Sequence, residues 1–242
     1  MINIKVRIVD QLAIRLLKDG KIVKEWKPKR GHTWLTDGKN YLRDMTTDPA
    51  TKAPIAKMGT NGTGTSDVAT TNSHLAAGKA RFVGTWAASG AITNITFFYL
   101  KNATPVTYAE YPISSFSKPD GFSLEVTWDV TITGWDNGYG SQYLRNMISG
   151  VADAGYDAAN KVGKMEFVIA GVSHTFTTTN SKPADAQARY IATATGYTGA
   201  VDAGVWLHAN SPDYDLVYGA IASGIVFNYT SDKLEVTWDA TF

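Results

Sequence analysis

From Leu124 onward the chain alternates. Leu124, Val126, Trp128, Val130 and Ile132 interleave with Glu125, Thr127, Asp129, Thr131 and Thr133. Period two is the pattern of a strand with one buried and one wet face. The hexapeptide that opens this run, LEVTWD, returns at Leu234–Asp239, and the alternation continues through Ala240 to Phe242. Val, Thr and Trp suit a pleated, half-buried surface. Each run therefore predicts the closing strand of a sheet.

The same reading applies upstream. KVRIV alternates, and AIRLLKDGKIVKEW reads as strand, Asp19-Gly20 turn, strand. Two stretches break the period. In TDGKNYLRDMTT and GYGSQYLRNMIS the apolar residues Tyr41, Leu42, Met45 and Tyr143, Leu144, Met147 fall near one helical stripe, with Asp37 and Ser141 as expected caps. Each expected helix leads to a strand, near Lys57 or Lys164. In the first case GTNGTGTSDVATT follows as an expected Gly/Thr loop. Strands are then expected at ARFVGTWAA, ITFFYL and VTYAEYPI, and in the second series at KMEFVIAG, ARYIATAT, AVDAGVWLHA and DLVYGAI.

The two series run in the same order. NYLRDM is echoed by QYLRNM, ARFVGT by ARYIAT, GAI by GAV, and LEVTWD by itself, with a spacing that grows steadily along the chain. Ordered matches of this kind predict an internal duplication of whole domains. The expected fold class is mainly β: two tandem related β-sandwich domains, each with one short helix near its start. The expected bounds are 1–134 and 135–242, joined by a linker at about 134–140.

Composition narrows this picture. At 242 residues and 44% hydrophobic, the chain has material for two globular domains. It contains no cysteine, which excludes disulfides and thiolate chemistry. No apolar run is long enough to span a bilayer, and MINIKVRIVD lacks the core of a signal peptide. The expectation is a soluble protein made in a cytosol and free of membrane. The four Asn-x-Thr sequons, at Asn61, Asn94, Asn102 and Asn228, are then by-products of Thr-rich strands.

Net charge is +1, which gives no steering toward nucleic acid. The charge is uneven, however. Residues 1–30 hold nine Lys and Arg against three Asp and Glu, a local +6. The second series has no counterpart to this segment. The expectation follows that the sheet closes without it, and that Arg15, Lys18, Lys21, Lys24 and Lys27 form a docking surface for an acidic partner.

Catalytic signatures do not assemble. The Gly59–Gly64 loop lacks the Gly-Lys-Ser/Thr ending of a phosphate-binding loop. His32, His74, His174 and His208 show no metal-ligand spacing, so neither metal nor cofactor is expected. No nucleophile elbow is present. Glu125 and Asp129 share a strand face, as do Glu235 and Asp239, but four strand residues separate the members of each pair. Trp86, Trp128, Trp206 and Trp238 read as core. Trp135, Asp136, Asn137 and Tyr139 lie in the polar linker. They read either as a wedge between the domains or as a contact for a glycan.

The order of features resembles tailed-bacteriophage virion structural proteins: small β-sandwich domains of tail, neck, fibre or capsid decoration. The residues that carry the resemblance are the opening hairpin, WLTDGKNYLRDM, MGTNGTGTSDVATTNSHL, ITNITFFYL and SLEVTWDVTI. It covers most of 1–134, and in the second series the helix and later strands. The resemblance implies a non-enzymatic role in particle assembly. It also implies localisation to the virion after synthesis in a host cytoplasm, and multi-copy or homo-oligomeric contacts with other virion proteins. The alternative expectation is a carbohydrate-binding or receptor-recognition protein using the linker and loop aromatics.

Overall fold

Alternation becomes strand almost wherever it occurs in the computed structural model, which describes residues 1–28, 33–47, 53–104, 106–135, 139–151, 161–209 and 215–242. Strands take 63% and helices 10%, so the mainly-β expectation holds. In chain order the first half contains β1 (Ile2–Lys5), β2 (Arg7–Lys18), β3 (Lys21–Trp26), β4 (Thr33–Trp34), α1 (Thr36–Thr47), β5 (Ile55–Thr60), β6 (Val68–Ala76), β7 (Lys79–Trp86), β8 (Ile92–Asn102), β9 (Thr107–Lys118) and β10 (Ser123–Thr133). The second half contains α2 (Gly140–Ser149), β11 (Val162–Ile169), β12 (Val172–Thr177), β13 (Thr179–Ser181), β14 (Gln187–Thr195), β15 (Gly199–Ala209), β16 (Asp215–Ala220), β17 (Val226–Phe227) and β18 (Lys233–Thr241).

The expected hairpin is present. Asp19 and Gly20 both take positive φ, 52° and 74°, as a two-residue turn between right-twisted strands requires. The expected Gly/Thr loop is shorter than its composition suggests, because Val68–Ala76 is strand. Ser141 does not cap its helix. It lies inside the first turn, and Tyr139 precedes the helix without a side-chain cap.

Nine strands form one continuous ladder, β3-β2-β10-β7-β6-β5-β8-β9-β4. It folds over at β6, whose first two residues pair with β5 and the rest with β7. The two layers meet through their apolar faces. Tyr111 of β9 stands edge-on to Trp128 of β10 with ring centroids 5.6 Å apart, and Trp86 meets Phe98 at 5.8 Å. In the second half the layers are β1-β18-β14-β13 and β12-β11-β15-β16. There β12 pairs with β11 and β13 with β14, with Thr178 between them. The arrangement is sandwich-like in both halves. Registers also match: Trp128 lies opposite Phe82, and Trp238 opposite Tyr190. Trp86, Trp128 and Trp238 are buried as expected; Trp206 is only half-buried.

The basic segment is not dispensable to the sheet, contrary to expectation. β2 pairs with β10 over its length and buries Leu12, Ile14 and Leu16. The second half has a replacement for it. β1 lies parallel to β18, Ile2 opposite Trp238, on the flank that β2 occupies beside β10. The first strand of the chain thus completes the sheet of the second half. Gly134 marks the crossing. Its φ is +104°, and a Cβ there would lie 2.2 Å from the carbonyl oxygen of Lys5.

The helices bind the halves crosswise. α1 packs on β9 of its own half and on β14 of the other; α2 packs on β7 and β10 as well as β16. Tyr41 donates to the carbonyl of Met147 at 2.8 Å, and Tyr190 donates to Thr46 Oγ1 at 2.7 Å. Arg145 donates to the carbonyl of Ala76 at 2.7 Å. One apolar cluster runs through both halves.

Candidate docking edge and adjoining groove

The expected docking residues lie on the β2–β3 hairpin but divide into two groups. Arg15 is neutralised within the sheet, donating to Glu25 at 2.9 Å and to Glu125 at 3.0 Å. These bonds hold the Arg15 guanidinium above its ordinary pKa and the Glu25 carboxyl below its own. Lys27 shares Glu25 at 3.8 Å. Lys18, Lys21 and Lys24 are exposed, and among the described residues no carboxylate pairs with them. Lys24 Nζ stands 4.6 Å from the Trp26 ring centroid and Lys18 Nζ 5.5 Å from that of Phe122, which orients both cations without neutralising them. Between them Ile22 and Val23 are 55% and 52% exposed.

Beside the hairpin, where the chain leaves β3, a groove of ≈ 790 Å³ opens along β2 between Asp10, Arg15, Lys27, Arg81, Tyr111 and Asp129. At its inner wall Asp10 Oδ2 accepts from Trp128 Nε1 at 2.9 Å and from Trp34 Nε1 at 3.3 Å, so one carboxyl ties β2, β4 and β10 together. Burial pushes this carboxyl up to about 7, against the pull of the two indoles. The reading of the sequence missed Asp10. The signal was present: in Ile8-Val9-Asp10-Gln11-Leu12 the acid falls in the apolar phase of the strand. Arg81, on the outer face, forks onto Asp129 at 2.7 and 2.9 Å.

The strand-face carboxylates are structural partners. Asp239 receives Arg189 at 2.7 and 2.8 Å, as Asp129 receives Arg81, and Glu125 receives Arg15. A second groove, ≈ 640 Å³, lies by the Gly/Thr loop between Gly64, Thr65, Trp86, Ser89 and Lys118. Its lysine is committed, since Lys118 Nζ donates to the carbonyls of Ala88, Pro119 and Phe122 at 3.2, 3.4 and 2.7 Å. Burial lowers its pKa.

Among its described residues the linker forms no aromatic platform. Trp135 is fully buried, its ring centroid 6.2 Å from that of Phe242, and offers no face to a sugar. Asp136 and Asn137 lie outside the described residues; Tyr139 is exposed. An aromatic pair that the sequence did not reveal occupies the outer face of β15 and β16. Trp206 and Tyr218 are cross-strand partners with centroids 5.0 Å apart, and Glu166 lies opposite Trp206 on β11. Glu166 accepts from Ser173 and lies 3.5 Å from His208 Nε2; His208 Nδ1 lies 3.1 Å from Asp215. Among the described residues no three His, Asp or Glu side chains converge as metal ligands, and no helix is long and apolar enough to cross a membrane. The chain matches no protein-family model and no curated protein sequence.

Proposed function

We propose that the chain is a non-enzymatic structural protein of a tailed-phage particle, built from two copies of one sandwich and joined to its neighbours through the β2–β3 hairpin. The observation that carries this reading is the edge itself. Three exposed lysines without an acidic partner among the described residues flank two exposed aliphatic side chains, on a hairpin rooted in the core. A rigid base with an uncompensated charged tip suits orientation and fast association more than raw affinity. The matched forks Arg81–Asp129 and Arg189–Asp239 support the duplication. The test is co-sedimentation of the full chain with phage particles. Incorporation is expected, and reversal of Lys18, Lys21 and Lys24 to Glu should reduce it while leaving the melting temperature unchanged. Absence from particles would defeat the reading.

A second reading, carbohydrate binding, is favoured by the Trp206–Tyr218 pair beside Glu166, since aromatic faces stack on sugars and a carboxylate accepts their hydroxyls. Glycan-array binding that Trp206→Ala abolishes would support it.

A further inference from the structure

This inference rests on the docking reading above and names what docks. β3 pairs with β2 on one side; on the other, no strand among the described residues pairs with it. A row of main-chain donors and acceptors therefore faces outward along Lys21–Trp26. Lysines commonly guard such edges against unwanted pairing. A guarded edge has no reason to display aliphatic groups as well. Here the strand exposes two: Ile22, opposite Leu17, and Val23, which the register shift between Leu16 and Leu17 leaves without a cross-strand partner.

Charge decides between occupants. A second copy pairing edge to edge would bring two sets of Lys18, Lys21, Lys24 and Lys27 along one short ladder. The nearby carboxylate, Glu25, is already held by Arg15. Like charges directly opposed across a ladder are destabilising. An acidic segment meets the opposite situation. Its main chain completes the ladder, its carboxylates approach three lysines, and its aliphatic side chains cover Ile22 and Val23. Strand addition draws affinity from main-chain bonds and specificity from alternate side chains.

We propose that β3 accepts an extended segment of a partner protein, carrying both Asp or Glu and aliphatic residues, as an added edge strand of the nine-stranded sheet. The test uses the full chain and a dye-labelled peptide of about ten residues that alternates Glu with Val and Thr. A control peptide has the same sequence with alternate backbone nitrogens methylated, which removes one edge of donors. The expected result is saturable binding that weakens as salt rises, and that falls at least ~10-fold both for the methylated peptide and for the Lys18, Lys21, Lys24→Glu variant. Equal binding of the methylated peptide would reduce the contact to charge alone and overturn strand addition. Failure of the unmodified peptide to bind would overturn it as well. So would self-association of the chain that the triple variant abolishes, since the edge would then be a self-interface. A chain that joins particles but ignores the peptide refutes this inference and leaves the assembly reading intact. One that binds the peptide but joins no particle does the reverse.

Discussion

The indole of Trp128 donates to the carboxyl of Asp10 across 2.9 Å, and the matching indole of Trp238 has no such acid to meet. Among the described residues no acceptor reaches Trp238 Nε1. The difference follows from the flanking strand. β2 sets Leu12 opposite Trp128 and Asp10 opposite Val130, whereas β1 sets Ile2 opposite Trp238 and Ile4 opposite Ala240, with no acid at the matching position.

Asp10 should make stability fall as pH rises. Its folded pKa, about 7, lies above the ordinary value of 3.8, so the folded chain holds a proton that the unfolded chain releases. The favourable contribution is complete below about pH 4 and is lost as pH climbs through 7. At pH 8 the ionised, buried carboxylate should cost up to about 4 kcal/mol relative to pH 4. Denaturant melts of Asp10→Asn should lose this dependence, since Asn still offers the indoles an acceptor. A slope unchanged by the substitution would place the titration elsewhere.

Trp128→Phe and Trp238→Phe should differ. Each removes similar ring volume, but the first also takes a donor from a buried carboxyl. Losing such a bond costs about 1–2 kcal/mol beyond the packing loss, so Trp128→Phe should be the more destabilising by that margin. Truncation to Ala at either position should cost about 3–5 kcal/mol. A loss below about 1 kcal/mol for Trp→Ala would mean that the ring packs loosely.

The two arginine forks should couple unequally. Asp129 is more enclosed than Asp239, its side chain 11% exposed against 20%, and Lys79 adds a second cation at 3.5 Å. A double-mutant cycle on Arg81 and Asp129 should give about 0.5–1 kcal/mol, with a smaller value for Arg189 and Asp239. The reverse order would mean that the enclosure of Asp129 does not set the coupling.

The hairpin should separate stability from docking. Leu12→Ala or Ile14→Ala should cost about 2–5 kcal/mol, because both are buried against β10. Reversing Lys18, Lys21 and Lys24 should leave the midpoint within about 0.5 kcal/mol of the parent. Unfolding of the triple variant would show that these lysines serve the sheet rather than a partner.

Period-two patterning revealed the strands because one face of each is buried, and it put Trp128 and Trp238 on the buried face of the LEVTWD runs without any structure. It did not reveal β12, because VSHTFT is exposed on one face and only half-buried on the other, leaving its alternation weak. Nor could it reveal β1 beside β18, since pairing partners so distant in sequence leave no local trace. Trp135 illustrates the same limit. Its polar neighbourhood in sequence leaves a wedge between the domains and a glycan contact both open, and only the fold turns that ring inward onto Phe242. Of the basic cluster, the sequence supplied all five side chains. What it could not supply was the Glu25 and Glu125 that silence Arg15, because Glu125 arrives from another strand.

The parallel pairing of β1 with β18 also fixes how the molecule bears load. A pull applied between Met1 and Phe242 acts along these strands in opposite senses, so it shears the pair instead of peeling it. All four register positions, Ile2–Trp238 to Lys5–Thr241, are then strained together, and no single bond can yield first. Tension between those two points loads this ladder at once, before any other part of either sandwich is engaged.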